Sequence, residues 1–173
     1  DIITRDPFIL YATTVEGQSQ NELPKFAFDE NESTKWCPGS NAVQSQMVID
    51  VGAYYTVTQW DMSHAGVSSD GSGRNTRDFA LQILKVKNPT AEQLADEAFL
   101  TNDDNWITVA SYTNNQQNRT SYTFTEAVVG RYFRLNVTKG DSSNQWPSTR
   151  IYEWSMTGIP AKQPEDDVDK TAL

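Results

Sequence analysis

The chain of 173 residues is long enough to bury a sizeable core and is expected to form a single domain. Its 37% hydrophobic and 11% aromatic content, with five Trp, is that of a globular protein rather than a disordered one. A net charge of −9 without a basic run leaves nothing to neutralise phosphates, and no stretch of 18 apolar residues is present, so neither nucleic acid nor membrane insertion is expected.

Cys37 is the one cysteine, which excludes an internal disulfide but is compatible with secretion from a bacterium. The chain opens abruptly at Asp1 with no signal peptide, the expectation for a fragment excised from a larger protein. Asp1 to Leu10 reads as an entry segment with an extended piece at Phe8-Ile9-Leu10, and Tyr11 to Pro24 as a polar loop. The stretch from Phe26 to Trp36 then concentrates oxygen-bearing side chains. Asp29, Asn31 and Thr34 are hard donors at close spacing, suited to a cation of calcium size. The same residues also suit a polar turn that bonds its own backbone before a strand.

Cys37 to Asn41 is a second turn cluster, followed by a short buried-type strand, Met47–Val51, ended by Gly52. Tyr55 to His64 alternates as a strand and runs into a Gly/Ser-rich loop, Ala65 to Asn75. Phe79–Val86 is the next strand. Thr90, with Gln93 three residues on and Leu94 and Ala98 at helical spacing, predicts a short helix inside a loop insertion over 88–105. Trp106–Tyr112, Ser121–Val128, Arg131–Val137 and Ile151–Gly158 complete the strands. So many short strands separated by turns predict an all-β antiparallel sandwich or barrel over 1–158. The charged, Pro-bearing stretch 159–173 reads as an acidic linker or tail.

Little in the chain resembles a catalytic apparatus. One His and one Cys are available, and no nucleophile elbow, phosphate loop or paired-Cys metal site is present. Carboxylate pairs are always available on paper among 23 acidic residues and decide nothing. His64 stands where a strand gives way to a loop, a place where binding residues gather, though a loop His with one hydrogen bond and no role fits equally. Arg74 and Asn75 close that loop with planar donors and acceptors, suited to sugar hydroxyls or to loop capping. Trp146, flanked by short polar residues and Pro147, has little chain nearby to bury it. It is a candidate stacking platform for a pyranose, an anchor for a protein partner, or a ring folded back on the core. Trp36, Trp60, Trp106 and Trp154 lie in strand patterns and are expected in the core.

Five motifs occur in an order that resembles the discoidin-type, or coagulation factor type C, domains. They are Ala27-Phe28-Asp29-Glu30-Asn31-Glu32-Ser33-Thr34-Lys35-Trp36, Met47-Val48-Ile49-Asp50-Val51-Gly52, Asn75-Thr76-Arg77-Asp78-Phe79, Arg131-Tyr132-Phe133-Arg134-Leu135 and Arg150-Ile151-Tyr152-Glu153-Trp154. Within that group the chain is similar to the family 32 carbohydrate-binding modules of bacterial glycoside hydrolases, over about Thr13 to Gly158. The resemblance implies an eight-stranded jelly-roll sandwich with sugar held by loops at one end. It also implies a structural Ca²⁺ held by the carbonyls of Phe26, Asn31 and Tyr152, the carboxylates of Asp29 and Glu153, and both oxygens of Thr34. Galactose-binding members carry a His directly after the Trp of the first motif, where this chain has Cys37, and an Arg where it has His64. The form His64-Ala65-Gly66 with the Asn75 motif is more similar to members attached to enzymes acting on N-acetylhexosamine- or mannose-containing glycans. On this resemblance His64 and Asn75 would bond hydroxyls, Trp146 would stack, and Arg74 would contribute. The expected protein is a monomeric, non-catalytic module of a secreted bacterial hydrolase, binding terminal hexose or N-acetylhexosamine. The alternative is a discoidin-like domain binding a protein or cell surface in adhesion.

Overall fold

The computed structural model describes residues 1–141 and 143–165. Its strands are β1 (Phe8–Ala12), β2 (Ser45–Ser63), β3 (Asp78–Leu84), β4 (Trp106–Tyr112), β5 (Arg119–Lys139) and β6 (Glu153–Pro160). Every pairing is antiparallel, in the order β1-β2-β5-β3-β4, with β6 added to β2.

Two strands expected as four are continuous. Met47–Val51 and Tyr55–His64 are the two halves of β2, and Ser121–Val128 and Arg131–Val137 are the two halves of β5. The first half of β2 pairs with β1 and with the second half of β5, from Ser45↔Val137 to Asp50↔Tyr132. Its second half pairs with the first half of β5, from Tyr55↔Gly130 to Ser63↔Arg119, and with β6. The register breaks between Asp50 and Tyr55, around Gly52 at φ +91°, so this glycine redirects the strand instead of ending it. Met47 and Ile49 from one half and Val57, Trp60 and Met62 from the other share one apolar core. The halves therefore belong to facing layers, and the β-sandwich is built largely from two strands that each serve both. Gly130 keeps the crossing close, since a Cβ there would stand 3.0 Å from the Phe133 ring. Trp36, Trp60 and Trp154 fill this core, and Trp106 is buried outside it, as their strand patterns predicted.

Trp106 belongs to a second apolar cluster with Val48, Tyr54, Leu84, Leu100 and Tyr132, on the outer face of the larger layer. The insertion covers it with two single-turn helices, α1 (Ala91–Leu94) and α2 (Glu97–Leu100), where one was expected. The predicted Thr90–Gln93 capping box forms, with Gln93 N donating to Thr90 Oγ1 at 3.1 Å and Thr90 N to Gln93 Oε1 at 2.9 Å. Trp106 Nε1 donates to the Leu100 carbonyl at 2.8 Å, fixing the insertion to β4. Arg134 is fully buried here, donating to Gln82 at 2.7 Å, Gln46 at 2.8 Å and Asp103 at 2.6 Å.

The last strand starts later than predicted. Ile151 instead bridges Trp36 through hydrogen bonds of 2.8 and 3.0 Å, tying the turn that ends at Trp36 to the C-terminal segment. β6 runs on to Pro160, and Ala161 N donates to the Tyr54 carbonyl at 3.0 Å, so the folded domain passes the expected boundary at Gly158. The stretch read as a tail lies, from 166 to 173, outside the described residues.

Candidate functional site

The 3₁₀ turn Pro24–Ala27, with Pro first, leads the chain into the oxygen-rich turn. Asn31 N–H is shared between Asp29 Oδ1 and Glu153 Oε1, at 3.1 Å each. Thr34 Oγ1 touches the Asp29 carboxylate and lies 3.0 Å from the Asn31 carbonyl, two acceptors for one hydroxyl hydrogen. The Asn31 side chain is turned away to the Ser33 N–H at 2.9 Å, leaving its carbonyl on the inside. Burial, and then the neighbouring Asp29 carboxylate, push Glu153 up to about 8. The cluster thus has oxygen to spare and too little positive charge, which fits a hard cation. Asp29, Asn31, Thr34 and Glu153 meet here, and Phe26 and Tyr152 stand in the same two chain segments. Among the described residues no group of three or more His, Cys, Asp or Glu side chains that could hold a metal ion is found.

At the loop end the expectations divide. His64 has no exposed surface, its Nε2 lies 3.0 Å from Thr120 Oγ1, and its ring packs 5.0 Å from that of Phe79. Burial holds it at about 4, so the imidazole is neutral. Asn75 is equally buried, accepting from Gly66 N at 2.7 Å and donating to Asn118 Oδ1 at 3.0 Å. The expected hydroxyl bonds from both are corrected accordingly: a sugar on the surface meets neither. Ala65–Asn75 folds back on itself, and a Cβ at Gly66 would stand 1.8 Å from Asn118 Oδ1. These side chains hold the loop shut against β5.

Trp146 is where the reading predicted an exposed aromatic, with 69% of its surface open. Its backbone is left-handed, φ +59°, a conformation that a bulky residue adopts only when its surroundings impose it. Those surroundings are two guanidiniums on its carbonyl, Arg74 Nη1 at 2.9 Å and Arg150 Nη2 at 2.6 Å. Arg150 Nη1 binds the buried carboxylate of Asp141, which also accepts from Ser143 N at 3.0 Å and Ser148 N at 3.2 Å. Arg74, expected as a ligand contact, therefore braces the Trp146 loop, also through Ser143 Oγ at 3.0 Å.

Beside the indole lies an open cleft of about 290 Å³ whose lining includes Glu22, Lys35, Cys37, Asp70, Ser148 and Arg150. Lys35 is its hub, with Nζ 3.1 Å from Glu22 and 2.9 Å from Asp70, while Tyr152 donates its hydroxyl to the same Asp70 carboxylate. Burial opposes the Lys35 charge, but Asp70, Tyr152 and Glu22 outweigh it and hold its proton above the ordinary lysine range. Burial likewise raises Asp70, yet the Tyr152 and Lys35 bonds bring it below the usual carboxylate value. Sequence reasoning missed Glu22, Lys35, Asp70 and Arg150. They come from separate loops, and no local pattern announces a pairing between them. Lys35 directly follows the oxygen-rich turn and Tyr152 precedes Glu153, so turn and cleft share the same chain segments.

Fold, oxygen-rich turn and aromatic-edged cleft together define a β-sandwich binding domain. The chain belongs to the F5/8 type C family, whose model described as the NedA-like, galactose-binding domain matches residues 26–135. Among curated proteins none matches this chain. Among solved structures it is similar to the family 32 carbohydrate-binding module of Streptococcus pneumoniae EndoD, at TM-score 0.70 and 21% identity, covering 91% of this chain and 99% of that one. It is also similar to the family 32 module of Clostridium perfringens NanJ in complex with galactose, at TM-score 0.63 and 16% identity, covering 90% and 96%. Chitosan-binding module 2 from a chitosanase/glucanase of Paenibacillus sp. IK-5, in complex with chitotriose, matches at TM-score 0.65 and 15% identity, covering 90% and 99%. At these identities the likeness is one of fold, that of a carbohydrate-binding module.

Proposed function

We propose that this domain is a non-catalytic carbohydrate-binding module that holds a terminal hexose or N-acetylhexosamine in the cleft beside Trp146, and so keeps a linked, secreted bacterial glycoside hydrolase at its substrate. The observation that carries the reading is Trp146 itself, a large aromatic held out in solvent on a strained backbone by two arginines. A pyranose stacks its apolar face on such a ring while neighbouring polar groups meet its hydroxyls. The galactose and chitotriose in complex with the related modules support sugar as the ligand class. A single shallow site of this kind gives dissociation constants on the order of 0.01–1 mM. Attachment to an enzyme turns that modest affinity into a raised local concentration.

Calcium at Asp29, Asn31, Thr34 and Glu153, completed by the carbonyls of Phe26 and Tyr152, is part of the proposal. When bound it would supply the positive charge that the two carboxylates lack. Asp29 and Glu153 then hold the N-terminal turn against the last strand, and through Lys35 and Tyr152 the base of the cleft keeps its shape. A glycan array probed with the folded domain in calcium-containing buffer tests the reading. Signals confined to glycans with terminal hexose or N-acetylhexosamine are expected, and a blank array from folded protein would overturn it.

A further inference from the structure

Resting on the sugar-cleft reading, we infer that the cleft accepts neutral or amine-bearing sugars and rejects sugars that carry a carboxylate or sulfate. The reason is that its cations are already engaged inside the protein. An ammonium has three donors, and those of Lys35 face Glu22 Oε2 at 3.1 Å, Asp70 Oδ2 at 2.9 Å and the Tyr152 hydroxyl at 3.5 Å. Arg150, its side chain 9% exposed, is also turned inward, with Nη1 on Asp141, Nη2 on the Trp146 carbonyl and Nε 3.7 Å from Asp70. Against these two cations stand three carboxylates, Glu22, Asp70 and Asp141. Arg74 braces the Trp146 loop and does not line the cleft.

What remains for a ligand is the opposite kind of group. Glu22 Oε1 and Asp70 Oδ1 take no hydrogen-bond partner among the described residues, and their side chains are 28% and 26% exposed. Ionised carboxylates accept and never donate. The other polar side chains of the lining carry no charge: the hydroxyls of Ser19, Ser40 and Ser148, the last donating to the Gly39 carbonyl at 2.6 Å, the Cys37 thiol beside Ser148, and the Trp146 indole. A sugar seated against Trp146 is therefore asked for hydrogens, which hydroxyl, acetamido N–H and ammonium groups supply. A ligand carboxylate or sulfate would face like charge with no free cation to meet it. Glu22 is the specificity-determining residue, because it is the more open carboxylate and its one partner, Lys35, keeps Asp70 without it.

The test is a titration of galactose, galacturonic acid, N-acetylglucosamine, glucosamine and glucuronic acid against the folded domain at fixed salt and calcium. At least one neutral or amine-bearing sugar is expected to bind, and its uronic counterpart at least tenfold more weakly. Glu22→Gln removes one negative charge while its amide oxygen can still accept from Lys35, so the gap between uronic acid and neutral sugar narrows at least threefold with unchanged thermal stability. Galacturonic acid binding as tightly as galactose, or a gap that Glu22→Gln leaves intact, overturns this inference while the sugar-cleft reading stands. Binding of none of these sugars, together with a blank array, overturns both.

Discussion

Arg134 and Arg150 are both buried arginines bonded to a carboxylate, the first under the insertion on the outer face and the second beneath the loop end. Their partners differ. Asp103, which meets Arg134, is 81% exposed, and Gln82 and Gln46 share the work. Asp141, which meets Arg150, is buried and also organises its own loop through Ser143 and Ser148. The outer pair seals a packed surface. The inner pair holds a strained Trp146 outward, into solvent. Burying an ion pair thus serves packing in one region and display in the other, and the burial of the carboxylate decides how much the pair is worth.

The sharpest test of this contrast is Asp141→Ala. It leaves the buried Arg150 with only the Asp70 carboxylate, 3.7 Å from Nε, so urea denaturation is expected to show a loss of about 3 kcal/mol. Sugar binding by the fraction that remains folded should fall with it. His64 extends the comparison to a buried base without a carboxylate partner. Its folded value of about 4 lies below the ordinary 6.5, so the neutral form is the folded form. The stability this represents is fully present above pH 6.5 and is lost as pH falls from there towards 4, about 3 kcal/mol in all. Denaturation midpoints of wild type and His64→Gln across that window measure it, and parallel curves would contradict it.

The contrast would break if calcium, rather than the Arg150–Asp141 pair, ordered the loop end. Calcium at a hundred times its dissociation constant should stabilise the domain by about 2–3 kcal/mol. Chelation should remove that increment, and Asp29→Ala should abolish it. In the proposed arrangement calcium shifts the melting of Asp103→Asn as much as that of wild type. The smallest effect belongs to Asp103→Asn itself. Its partner end is solvated, so under about 1 kcal/mol is expected, with sugar affinity unchanged.

Strand positions were largely legible, because β-branched and aromatic alternation survives in every one of them. The count was not, because Gly52 reads as a terminator and the short gap at Val129-Gly130 as a break, while both strands continue through these positions. The Thr90–Gln93 cap was legible, since both partners lie within four residues. So was the exposure of Trp146, from its short polar neighbours. The burial of His64 and Asn75 was hidden, because a Gly/Ser-rich loop reads as open while Gly66, Asn75 and Asn118 close it by contacts far apart in the chain. The Lys35 network was hidden for the same reason, its members lying at 22, 35, 70 and 152.

The central claim is that the cleft beside Trp146 is a sugar site whose ring is held out in solvent for stacking. A fluorescence or calorimetric titration of wild type and Trp146→Ala with the best glycan from an array tests it most directly. The account predicts at least a tenfold loss of affinity with melting temperature and calcium response unchanged, since an exposed ring contributes little to the core. Equal affinity in the two proteins would contradict it and place the sugar elsewhere.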